Sequence, residues 1–256
     1  MTTTTPYTEM LAIYRACPRG LTAGEKYGKR LLAAPEELAS VFLLSVAQFS
    51  RYSNISEAFH DGPVAPAFDA QHGREIKYTV DVAKRLADAS SRTVSGPDGF
   101  EFEYIDRELD VMRTSSSQPL DDGSPSKRAL LLDLLLRRAD GTPILAELKI
   151  GKDTHPVYAL VQVLAAAAHL VTPMQRIRLA KCYGPEVEVP AAGPYLELAV
   201  LLVDKPMTGK AASMLADAQE LASALVDTAQ LRGFIRAFHF LVPEDLDGPS
   251  LIFHHS

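Results

Sequence analysis

The chain has 256 residues, 47% hydrophobic and 23% charged, which excludes a mainly disordered protein and supplies enough apolar material for one or two packed cores. Its 26 basic residues stand against 32 acidic ones, and the net charge of -6 excludes a protein that coats nucleic acid or anionic lipid through its overall field. A local basic groove stays open. The longest apolar runs, residues 41–46 and 196–203, fall short of the ~20 residues of a membrane helix, and the Thr-rich start lacks an apolar signal core. Cys17 and Cys182 lie far apart without neighbours at metal-ligand spacing, so reduced thiols in a cytoplasmic protein with no membrane contact are expected.

Residues 1–12 read as a frayed start, and residues 36–50, behind Pro35 at a first helical turn, as a strong helix. Gly, Pro and Asp crowd residues 53–72, as in His60-Asp61-Gly62-Pro63, and predict a linker. Residues 1–72 therefore form an N-terminal helical region with its linker, and residues 73–256 a main domain. In the latter a helix is predicted near 74–89, a strand near 100–112 and a polar loop over 114–127. Strands follow over 128–138 and 143–150, then a helix from 156 to 171, a strand over 195–203, a helix over 211–231 and a strand over 236–242. This alternation predicts an α/β fold, a mixed sheet flanked by helices.

Asp133 is the informative residue, because Ala129-Leu130-Leu131-Leu132 and Leu134-Leu135-Leu136 on either side mark a strand buried on both faces. An unpaired ionised carboxylate there costs several kcal/mol, comparable with the ~5 to 15 kcal/mol that holds a domain folded. In Ile144-Leu145-Ala146-Glu147-Leu148-Lys149-Ile150, Glu147 and Lys149 are two apart and share a face. Whether they meet Asp133 rests on hairpin parity. A two-residue Asp140-Gly141 loop pairs Asp133 with Leu148 and turns Glu147 away. A three-residue loop, a type I turn at Ala139-Asp140 followed by Gly141 as a left-handed bulge, pairs Arg138 with Thr142 and hence Asp133 with Glu147. Gly141 stands where that bulge needs it, so the three-residue loop is expected.

Facing carboxylates repel unless a divalent cation lies between them, and Lys149 adds positive charge nearby. Mg2+, with Mn2+ as a substitute, suits two carboxylates plus the Leu148 carbonyl and leaves positions for water and substrate phosphate. Such a cation polarises a phosphodiester oxygen and lowers the pKa of an attacking water, while Lys149 positions the water or offsets charge on the phosphorane. The expected reaction is phosphodiester hydrolysis.

Asp133, thirteen further residues and Glu147-Leu148-Lys149 resemble the PD-(D/E)XK nuclease superfamily, a resemblance that covers about residues 73–203. It implies a restriction-endonuclease-like core of helix, three strands, helix and strand, and a magnesium-dependent nuclease with DNA as the expected partner. It also implies a metal-binding carboxylate from the first core helix, matched by Glu75 in Gly73-Arg74-Glu75-Ile76. A Gln or Tyr on the helix after the Lys strand is matched by Gln162, with Tyr158 one turn earlier. Leu132 stands where the family's name has Pro. Asp133, Glu147, Lys149 and Gln162 are thus the expected catalytic residues, and Asp133, Glu147, Leu148 and Glu75 the expected metal ligands.

Plainer alternatives stand beside these. Asp133, Glu147 and Lys149 also fit a buried salt-bridge cluster, Glu75 a solvated helix start, Gln162 the cap of a polar gap, and Tyr158 packing. At the level of the chain, the alternative is a catalytically inactive nuclease-like module that binds nucleic acid or protein. Lys152 is assigned to a substrate phosphate, His155 to a helix start, His169 to a helix surface or boundary, and His254 and His255 to a tail. The N-terminal region is left to contact substrate, a partner or a second copy of the chain in a homodimer.

Overall fold

Thr8 opens the first helix, α1 (Glu9–Ala16), by accepting a hydrogen bond from the Leu11 N–H. Helices α2 (Leu21–Leu32) and α3 (Pro35–Phe49) follow, the latter with proline in its first turn. The computed structural model describes residues 7–52, 55–60, 64–88, 92–95, 99–113, 130–150, 155–184, 186–203, 208–243 and 253–255. After α4 (Thr79–Ala87) come β1 (Arg92–Ser95), β2 (Phe100–Asp110), β3 (Leu131–Arg138) and β4 (Pro143–Ile150). The remainder is α5 (Pro156–Leu170), α6 (Pro173–Tyr183), β5 (Leu196–Val203), α7 (Lys210–Asp227), α8 (Ala229–Arg232), β6 (Ile235–Pro243) and β7 (Phe253–His255).

The five long strands form one mixed sheet in the order β2-β3-β4-β5-β6, antiparallel across β2, β3 and β4 and parallel across β4, β5 and β6. Each parallel step needs a crossover, which α5 with α6, and α7 with α8, supply. The short strands β1 and β7 extend the two outer strands and pair with each other, so the hydrogen-bonded ring closes at one end of a curled sheet. The fold is therefore α/β with helices on both faces, as the alternation of elements predicts.

Both faces are covered, and this explains the continuous apolar runs. Leu135 and Leu145 point to the core that contains α5, while Leu134, Leu136, Ala146 and Leu148 point to a second core under α4. Every residue of α5 is buried, because the sheet lies on one side and the N-terminal helices with α7 on the other. Helices α1 and α3 thus share the larger core with the main domain, Met10, Leu11, Phe42 and Phe49 packing with the α5 residues. Among the described residues no single helix is long and apolar enough to cross a membrane, and Cys17 and Cys182 are free thiols.

Several local expectations change. The chain start is docked rather than frayed from residue 8 onward, with Thr8, Met10 and Leu11 wholly buried; eight helical residues are too few to announce themselves by periodicity. The helix predicted from residue 74 begins only at Thr79, since the Asp81 carboxylate accepts the N–H groups of Gly73, Lys77 and Tyr78 and wraps the preceding segment into a loop. The helix predicted over 211–231 breaks at Thr228, whose hydroxyl accepts the Leu231 N–H and restarts the chain as α8. Helix α6 and strand β1 were not anticipated, and the segment with His254 and His255, read as tail, is β7. The polar loop over 114–127, part of the linker and Lys152 lie outside the described residues.

His169 also departs from its expected surface position. It is fully buried in the last turn of α5, where Nε2 lies 3.0 Å from Thr8 Oγ1, Nδ1 faces the Ala165 carbonyl, and the ring meets Phe49 edge-on. Burial pushes its pKa from 6.5 down to about 4. The unfolded chain therefore binds a proton that the folded chain refuses, so stability is whole above pH 6.5 and declines as pH falls toward 4, by up to about 3 kcal/mol. Urea midpoints at pH 7 and pH 5 are expected to show this loss in the wild type and a shallower one in His169→Gln. Equal losses in the two proteins would assign the acid sensitivity to other groups.

Candidate active site

The β3–β4 hairpin sets the geometry. Leu134 faces Ala146, Leu135 faces Leu145, Leu136 faces Ile144 and Arg137 faces Pro143. At the turn the Arg138 N–H donates to the Thr142 carbonyl and the Gly141 N–H to the Arg138 carbonyl, both at 2.9 Å, with Gly141 at φ +82°. This is the three-residue loop with a left-handed bulge. A side chain at Gly141 would be strained by that φ and would bring a Cβ to 2.9 Å from Glu188 Cβ.

Carried one residue beyond Leu134 and Ala146, the same register sets Asp133 opposite Glu147. Here the strands part. The next N–H of β4 that points toward β3, that of Leu148, donates to Asp133 Oδ2 at 2.9 Å instead of to backbone. In an extended strand the N–H and C=O of one residue point the same way, so the Leu148 carbonyl faces the same opening.

Glu147 is 1% exposed; its Oε1 accepts from Lys149 Nζ at 2.8 Å, and its Oε2, buried, meets no hydrogen-bond donor. Lys149 is buried as well, its Nζ 5.2 Å from the centre of the Tyr158 ring. Burial first, and the Asp133 charge second, push the Glu147 carboxyl well above the usual carboxylate range, against the pull of Lys149. Asp133 is half-buried, and burial raises its carboxyl too, against Lys149 and the Leu148 N–H. Two acids and one base leave an excess negative charge, which draws in either a proton or a cation.

The donor set fits a hard divalent cation. An orphaned, buried carboxylate oxygen beside a second carboxylate is the kind of oxygen pair that Mg2+ takes, with the Leu148 carbonyl as a third donor. Among the described residues no group of three or more His, Cys, Asp or Glu side chains is placed to hold a metal ion. A cation here would depend on water and substrate for its remaining positions.

Among the other predicted residues, Gln162 sits close by, but its Nε2 donates to the Leu131 carbonyl at 3.3 Å and ties α5 to the start of β3. Tyr158 does more than pack, since its ring lies against Lys149. His155 caps α5 as expected, its Nδ1 accepting the Tyr158 N–H at 2.9 Å. Glu75 is not brought to the cluster: it lies in the loop before α4, its side chain 72% exposed and paired with Lys77 Nζ at 2.8 Å. The turn wrapped around Asp81 holds it there.

Three residues were not singled out from the sequence. Glu108 falls opposite Asp133 on the other neighbouring strand, between the pairs Arg107–Leu134 and Leu109–Leu132, and its charge raises the Asp133 carboxyl further. It adopts φ +53°, a left-handed conformation that costs a non-glycine residue ~1 to 2 kcal/mol. Tyr14 and Arg19 arrive from the N-terminal region; the Tyr14 ring centre is 5.3 Å from that of Tyr158, and the Arg19 guanidinium carbon lies 5.5 Å over the same ring.

No family model, curated protein or solved structure matches the chain. What the site does is therefore read from its own atoms.

Proposed function

We propose that the chain is a magnesium-dependent nuclease of restriction-endonuclease-like architecture that hydrolyses phosphodiester bonds, most suitably of DNA. One observation carries the reading: a buried Glu147, clamped by Lys149 and facing Asp133, keeps an oxygen with no hydrogen-bond partner at the point where two strands separate. The element order is compatible with it: with the short β1 and the additional helix α6 set aside, α4, the three strands β2 to β4, α5 and β5 run as helix, three strands, helix and strand.

Asp133, Glu147 and the Leu148 carbonyl would hold the cation, whose chemistry when bound is to polarise a phosphodiester oxygen and acidify an attacking water. Lys149, fixed by Glu147 and by the Tyr158 ring, places a positive charge where the phosphorane becomes more negative. Gln162 holds the start of β3 and so keeps Asp133 in register. The sheet and α5 exclude water from the Glu147 side, which strengthens each of these interactions.

A second reading, a catalytically inactive nuclease-like module, draws on the lack among the described residues of a third acidic or imidazole ligand within metal reach. Titration with Mn2+ separates the two. A nuclease shows a saturable site that Asp133→Asn removes, together with Mn2+- or Mg2+-dependent cleavage of DNA. A chain that binds no cation and cuts neither DNA nor RNA leaves only the inactive module.

A further inference from the structure

We infer that the corner between α1 and α2 belongs to the substrate site, with Arg19 binding a backbone phosphate of the nucleic acid and Tyr14 holding Tyr158 over Lys149. The identity of the ligand rests on the nuclease reading; the placement of the corner rests on the geometry alone.

The corner is pinned by close packing. Helix α2 lies against the start of α5 because Gly24 and Gly28 lack side chains: a Cβ on Gly24 would fall 1.8 Å from His155 Nε2, and one on Gly28 would fall 2.8 Å from a Val157 methyl. His155, the N-cap of α5, and Val157 stand three residues and one residue before Tyr158. The α1–α2 turn, Cys17-Pro18-Arg19-Gly20, is thereby brought to the end of β4 that carries Lys149.

Tyr14, half-buried, meets Tyr158 ring against ring, the two ring planes tilted by 41°. Tyr14 is also close enough to feel the charges of Glu147 and Arg19. One ring, that of Tyr158, is therefore shared by two cations: Lys149, buried and paired with Glu147, and Arg19, exposed to solvent.

An exposed cation on an aromatic face is worth only ~0.5 to 1 kcal/mol. What stacking does is orient the planar guanidinium fork, the group best suited to a phosphate. In a chain of net charge -6, whose site already holds two carboxylates, an approaching polyanion needs such a cation at the rim.

The test uses the full-length chain and a fluorescent DNA oligonucleotide, with EDTA present so that binding is read without cleavage. Arg19→Ala is expected to weaken binding on the order of 10-fold and to lower the slope of log affinity against log salt by about one, while Arg19→Lys keeps the slope. The melting temperature of Arg19→Ala should fall by no more than a few degrees, since the side chain is exposed, so that a loss of binding is read on folded protein. With Mg2+ added, Arg19→Ala should raise KM with little change in kcat, and Tyr14→Ala, which removes the ring from Tyr158, should lower kcat with little change in binding, while Tyr14→Phe, which keeps the ring, should not.

Cleavage by the wild type with affinity, salt slope and KM unchanged in Arg19→Ala overturns this site and keeps the nuclease reading. Arg19-dependent binding without cleavage by the wild type keeps this site and overturns the nuclease reading. A wild-type chain that does not bind the oligonucleotide at all overturns this site.

Discussion

Replacing Glu147 by Ala is expected to lower cleavage by on the order of 10³-fold or more while the protein still folds. The two halves of this expectation have one cause. Glu147 supplies the buried carboxylate on which cation binding depends, so its loss removes the Lewis acid and not merely an orientation. Its loss also removes the excess negative charge: Lys149 is left with Asp133 alone, one base and one acid, which already attract each other in the intact protein. An orphaned oxygen disappears, and the buried cation keeps a partner. A gel assay on DNA with Mg2+, run beside a melting curve, checks both halves. Full cleavage in the folded variant would refute the catalytic assignment, and failure to fold would show that Glu147 is needed for structure first.

Lys149→Met probes the same cluster from the other side, and its expected signature is a destabilisation that depends on pH and metal. Without Lys149, Glu147 and Asp133 face each other in a buried site with no cation beside them and only the Leu148 N–H to offset Asp133, at a cost of ~3 to 5 kcal/mol in metal-free protein near neutral pH. The carboxyl pair already holds its proton more tightly than an ordinary carboxylate, because of burial and mutual repulsion. A folded-state pKa above the unfolded value means that stability falls as pH rises from about the ordinary carboxylate pKa through the raised one, so acidification should restore much of what the substitution removes. Mn2+ should restore it as well, if a cation takes the place between the acids. Denaturant midpoints of wild type and variant at pH 5 and pH 8, with and without Mn2+, measure both effects. Rescue by acid but not by Mn2+ would mark an internal ion cluster and count against a metal site.

The charged trio was legible in the sequence because each step toward it is local. Asp133 stands out against its leucines, Glu147 and Lys149 share a face by the two-residue period of a strand, and Gly141 decides the hairpin register through the turn it permits. These signals act over a few residues, where backbone sterics leave few choices. The helix start at residue 74 was misplaced for a reason of the same scale: Asp81 captures the backbone N–H groups before it, a side-chain competition that periodicity does not register.

The surroundings of the trio were not legible. Glu108 faces Asp133 only through the β2–β3 register, and no short turn joins those strands to reveal it. Tyr14 and Arg19 reach Tyr158 across more than a hundred residues of chain, and Glu75, next to the expected helix, stays in solvent. Chain chemistry alone was enough to bring two acids and a lysine to one hairpin, since alternation and turn geometry act between near neighbours. Which groups cover them, and from which side a substrate meets them, was decided by how the N-terminal helices pack on α5, because contacts between distant segments depend on the shape of the whole core and leave no periodic trace in either segment.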